Sequence, residues 1–199
     1  MIANDEIKPM IVVTPDFYTE EQVGFNTEFL RDQILIFQRE LAEDLIPTVE
    51  GKYSTYAASV KDEDIIASRM HRAVGGFSMG GGAVWFAFTK NIERFAWFMP
   101  ISGGSWELEV NSIGTKTQET IDALAAAAHT EGVDGKYFVY IATGDKDIAH
   151  LGINLMGEEL PKRPEFDEAH FKYHIEPDYY HAYEDVVNYL QIILPEFFR

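Results

Sequence analysis

Residues 72–91, RAVGGFSMGGGAVWFAFTKN, decide the fold. The run AVGGF is short and apolar, as a buried strand is, and GGAVWFAF is apolar over enough residues to be a buried helix. Between them Gly76, Phe77, Ser78, Met79 and Gly80 match G-x-S-x-G, in which a serine sits on a strained strand-to-helix turn. That order puts the hydroxyl at the carboxyl edge of a sheet, with a helix N-terminus behind it. The same residues also fit a glycine turn capped by a serine. The rest of the chain must supply a base and an acid before Ser78 reads as a nucleophile.

Working outward, short strand-like runs recur at residues 10–15 (MIVVTP), 72–78, 95–103 (FAWFMPISG), 136–144 (KYFVYIATG) and 171–177 (FKYHIEP), each followed by a helical pattern. Apolar strands alternating with helices predict a doubly wound, mostly parallel sheet of about five strands with helices on both faces. Leu30, Ile34, Phe37, Leu41 and Leu45 mark a crossover helix, which Pro47 is expected to stop. Helices are also expected over 118–130 and near 182–194. No repeat, linker or low-complexity segment interrupts the pattern, so residues 1–199 read as a single α/β domain.

The chain carries 33 Asp and Glu against 16 Lys and Arg, a formal charge of −17. A nucleic-acid backbone is repelled by such a protein, so no nucleic-acid partner is expected. There is no cysteine, which excludes disulfides and cysteine-ligated metals. No segment approaches the roughly 20 apolar residues that span a bilayer, and MIANDEIKPM lacks a basic start followed by an apolar stretch, so neither a membrane partner nor a signal peptide is expected in this chain.

A serine attacks an ester only when a histidine takes its proton and a carboxylate holds that histidine in the right tautomer. In an α/β-hydrolase these follow the serine in the order acid, then histidine, each on a loop after a strand. The segment after 136–144 opens into Asp145 and Asp147, and the one after 171–177 into Asp178 and His181. Of the six histidines, His181 alone falls at the carboxyl end of the last strand. A surface cap at a helix start is the other reading of His181, and residue type leaves Asp145 and Asp147 unseparated.

These residues resemble a known family. SRMHRAVGGFSMGGG, FMPISGGSW, ATGDKDIAH, EGKYSTYAASV and the closing YLQIILPEFF are similar, in order and over nearly the whole chain, to the feruloyl esterases of carbohydrate esterase family 1. The resemblance implies an α/β-hydrolase without cofactor or metal that cleaves the ester between ferulic acid and arabinose on xylan. It implies Asp147 as the acid, through a G-x-x-D element from Gly144, with His181 as the base. It also implies a secreted bacterial enzyme. Trp106, in SGGSW, matches an aromatic near the acyl pocket; a core tryptophan is its other reading.

The departure from the family pattern concerns the oxyanion hole. Met79 N–H supplies one donor, but the strand and H-G-G-G-like loop that supply the other in the family precede the point where this chain begins. That strand lies between the equivalents of 10–15 and 72–78. We therefore expect residues 10–15 to move over and pair with 72–78, carrying the N–H of Asp16 or Phe17 to the second donor position. A homodimer with a strand donated between chains is the rival arrangement. Three activities follow as expectations: a feruloyl esterase, an acetyl-xylan or general short-acyl esterase, or a weakly active truncated remnant.

Overall fold

The computed structural model describes residues 1–16, 27–108, 116–133 and 135–198. Four parallel strands, β1 (Ala73–Phe77), β2 (Trp97–Ile101), β3 (Phe138–Gly144) and β4 (Phe171–Glu176), pair in the order β1-β2-β3-β4. The crossovers are helices α4 (Met79–Lys90), α5 (Thr117–Ala128) and α6 (His150–Glu159), α7 (Tyr183–Ile193) follows the last strand, and the short α3 (Asp62–Ala67) precedes β1.

Alternation along the strands assigns each side chain to a face. Val74, Phe98, Val139, Ile141 and Tyr173 pack with Val84, Trp85 and Phe88 of α4, Leu124 of α5 and Ile153 of α6. Ala73, Phe77, Trp97, Ile101, Phe138, Tyr140 and Ala142 face the other way, against Tyr189 and Ile193 of α7 and against Phe197. β3 is buried along its whole length, which is why its sequence is a continuous rather than alternating apolar run. All four strands therefore end at the same edge, where the loops after β1, β3 and β4 converge.

Two expectations are corrected. Residues 10–15 form no strand: Ile11, Val12 and Val13 are exposed, Val12 to 73%, and β1 pairs with β2 alone among the described residues. Among the described residues the sheet has four strands where about five were expected, because strand-forming side chains do not make a strand without a ladder to complete.

The second correction concerns Pro47, which does not end the helix. Helix α1 (Thr27–Glu40) runs through a π-turn at Leu41–Leu45, closed by Ile46 N–H to Leu41 O, into α2 (Ile46–Lys52). The proline falls in the first turn of α2, where its missing N–H breaks no bond of that segment. The wide turn also displaces the apolar stripe: after Leu30, Ile34, Phe37 and Leu41 the buried residue is Ile46, and Leu45 is only half-buried.

Candidate active site

Ser78 stands between β1 and α4 with φ 57° and ψ −117°, a conformation side chains rarely adopt. The strain is over-determined by its surroundings. Ser78 N–H donates to Ile101 O at 2.9 Å, and Ser78 O accepts from Gly82 N–H at 3.1 Å. Glycine is required beside it for clearance: a Cβ on Gly76 would lie 2.3 Å from the Gly80 carbonyl, and one on Gly103 would lie 2.2 Å from Ser78 O. Gly80 has open space where its Cβ would be, so the crowding in the G-x-S-x-G turn falls on its first glycine.

His181 Nε2 lies 2.8 Å from Ser78 Oγ, and His181 Nδ1 lies 2.8 Å from Asp147 Oδ1. A carboxylate only accepts, so Nδ1 carries the proton and Nε2 presents its lone pair to the serine hydroxyl. The Asp147 side chain is fully enclosed, and its Oδ1 also accepts from Ala149 N–H at 2.7 Å. The Phe77 ring rests against the imidazole, 4.6 Å between centroids. Behind this group burial pushes the Tyr189 hydroxyl well above the usual tyrosine range, and the charge of Asp147 adds to that shift. Chemically, such a chain of groups can take a proton from a serine hydroxyl and hold the resulting imidazolium.

The other sequence-based candidates separate. Asp145 does not reach His181; its Oδ1 accepts from Asp178 N–H at 2.7 Å. Met79 opens α4 directly after Ser78, and it packs with Trp106 against the cluster of Ile34, Ala83 and Phe86. Trp106 is half-buried there, so it is neither wholly core nor wholly surface. Asp16 is exposed in the strandless segment, so the rearrangement meant to bring its N–H to the serine does not occur; Phe17 lies outside the described residues. The remaining histidines are engaged elsewhere: His71 stacks on Tyr56, His129 meets Glu165, His170 meets Asp167 and Gly135 O, and His174 meets Glu176. His150 opens α6.

The packing of Phe77 on His181 was not anticipated, since that residue is a free position of the motif. The role of Gly103 was also missed, although the doubled glycine of SGGSW was a signal for a close backbone approach.

No family model matches the chain. It is 36% identical over 205 residues to endo-1,4-beta-xylanase Y of Acetivibrio thermocellus, matching 100% of this chain and 18% of that protein. It is 29% identical over 107 residues to an endo-1,4-beta-xylanase/feruloyl esterase of Xylanibacter ruminicola, matching 53% of this chain and 13% of that protein. The chain thus spans less than a fifth of the length of these curated relatives.

Among solved structures, a feruloyl esterase module from Clostridium thermocellum, a serine-to-alanine mutant complexed with sinapinate, superposes with a TM-score of 0.86 at 35% identity. That match covers 100% of this chain and 67% of that one. A CE1 ferulic acid esterase from Anaeromyces mucronatus shares the fold, with a TM-score of 0.70 at 17% identity over 99% of this chain and 68% of that one.

Proposed function

The chain belongs to the feruloyl esterases of carbohydrate esterase family 1, and from that premise we propose that it is a serine carboxylic-ester hydrolase releasing ferulic or related hydroxycinnamic acids from plant cell-wall xylan. One observation carries the reading. The hydroxyl of Ser78, the imidazole of His181 and the carboxylate of Asp147 form a continuous hydrogen-bonded chain, 2.8 Å and 2.8 Å, at the carboxyl edge of the sheet.

In the reaction Ser78 Oγ attacks the ester carbonyl while His181 Nε2 takes its proton. The carbonyl oxygen becomes an oxyanion, which Met79 N–H at the start of α4 stabilises. Collapse breaks the ester C–O bond, and His181 returns the proton to the departing sugar hydroxyl. Water, activated by the same imidazole, then attacks the acyl-serine and frees the acid. Asp147 holds Nδ1–H throughout. Trp106, beside the helix start, borders the acyl group.

The test uses methyl ferulate and a phenolic acetyl ester side by side. A higher kcat/KM on the ferulate supports the hydroxycinnamic reading; a higher value on the acetate replaces it with a short-acyl esterase. Ser78→Ala is expected to lower kcat about 10⁴- to 10⁶-fold without loss of fold, since the hydroxyl is at a turn and its removal empties no core space. Failure of a serine-directed phosphonate to label the wild-type protein at Ser78 argues for an inactive remnant.

A further inference from the structure

We infer that Asp145 is a positioning residue for His181: its carboxylate clamps the loop carrying the histidine to the loop carrying Asp147. The inference rests on the reading of Ser78, His181 and Asp147 as the catalytic triad.

Besides the His181–Asp147 bond itself, three bonds join the two loops. Asp145 N–H donates to Glu176 O at 3.1 Å, Lys146 N–H donates to Tyr179 O at 3.0 Å, and Asp178 N–H donates to Asp145 Oδ1 at 2.7 Å. Of these three the third is the shortest, and it alone depends on a side chain. Asp178 has φ 61°, the left-handed region, so the histidine loop turns sharply at the residue whose N–H the carboxylate receives. The loops are in contact at this point, because a Cβ on Gly144 would lie 2.1 Å from Tyr179 O.

The other oxygen of Asp145 faces Lys146 Nζ at 3.6 Å, leaving Oδ1 to Asp178. Beyond the turn, Tyr180 N–H donates to Asp185 Oδ2 at 2.9 Å, which ties the loop to its own helix α7. Asp145 is the carboxylate that ties it to the acid. Among the described residues the His181 side chain hydrogen-bonds forward to Ser78 and back to Asp147, so its reach to both depends on where these two anchors set the backbone.

The experiment measures Ser78→Ala, Asp145→Ala and Asp145→Asn beside wild type, with thermal unfolding confirming that each is folded at assay temperature. Asp145→Ala is expected to lower kcat on methyl ferulate about ten-fold at nearly constant KM, the scale of losing one charge-assisted hydrogen bond that water partly screens. Phosphonate labelling of Ser78 should slow in parallel. Asp145→Asn, whose amide oxygen still accepts from Asp178 N–H, is expected to recover most of the rate.

The clamp is overturned if Asp145→Ala keeps kcat within two-fold of wild type, if only its KM changes, or if the asparagine variant loses as much as the alanine one. Those results, with Ser78→Ala inactive, remove the clamp and leave the triad standing. Full activity in Ser78→Ala removes both.

Discussion

The loops at the two ends of the same sheet carry backbone strain differently. At the carboxyl ends of the strands, left-handed φ angles fall on residues with side chains: Ser78, Ser102 and Asp178. Ahead of the amino end of β3 they fall on Gly132 and Gly135, where the missing Cβ removes the cost.

Hydrogen bonding differs in the same sense. At the amino end Arg69 donates to Ile92 O, Phe95 O and Lys136 O, Arg72 donates to Arg94 O and Ile65 O, and Tyr137 donates to Glu165 O. At the carboxyl end the bonds run between functional groups and between loops. The lesson is that beside the reactive serine and on the histidine loop the fold carries non-glycine distortions, each of order 1–3 kcal/mol, whereas the turns ahead of β3 pass through glycine; Phe198, with φ 61° and packed on Trp97 at the amino end of β2, is the exception.

The comparison breaks if substitutions at the two ends have the same consequences. The largest expected effect is at the carboxyl end: Asp147→Asn should reduce kcat about 10⁴-fold with little change in melting temperature, since an amide on Nδ1 favours the wrong tautomer. A mild loss in steady-state hydrolysis would place the acid elsewhere.

At the amino end Arg69→Met should do the reverse. It leaves the buried carbonyls of Ile92 and Phe95, and the part-buried one of Lys136, without their donor and is expected to cost roughly 2–4 kcal/mol in denaturant unfolding, with kcat of the folded protein unchanged. Loss of kcat without loss of stability would erase the contrast.

The smallest effect sharpens it. Glu165 sits at the amino end, and its carboxyl is held below the usual range, first by its own backbone N–H and then by His129. A carboxyl whose value is lower in the folded state adds stability above the unfolded value, and that contribution is lost as pH falls through the folded one. Stability should therefore decline shallowly below about pH 4.3, and Glu165→Gln should flatten the decline in acid unfolding curves.

How much was legible from residues alone follows the range of the interaction. The strand-serine-helix turn is specified by adjacent residues, and the loop order from Ser78 to Asp147 to His181 follows from the α/β alternation, so both could be read. Asp145 and Asp147 are the same residue type in the same loop, and only their direction separates them: one side chain turns inward to an imidazole, the other across to a backbone N–H.

Residues 10–15 looked like a strand because Ile11, Val12 and Val13 favour extended backbone, but a strand is a property of a pair, and the pairing is absent from the segment itself. The helix beyond Leu41 misled for a related reason, since spacing analysis assumes one pitch throughout.

The π-turn at Leu41–Leu45 closes its bond one residue further along the chain than an α-turn would, without breaking the rod. Up to Leu41 the buried residues keep one α-helical count, and the next buried residue, Ile46, falls one position later than that count predicts. Deleting one residue between 41 and 45 would restore a single count and a uniform pitch. It would also make the segment from Thr27 to Lys52 one uninterrupted α-helix, moving the proline from a first turn into the interior, where its ring meets the carbonyl one turn earlier. The wide turn is thus what lets this continuous rod carry a proline.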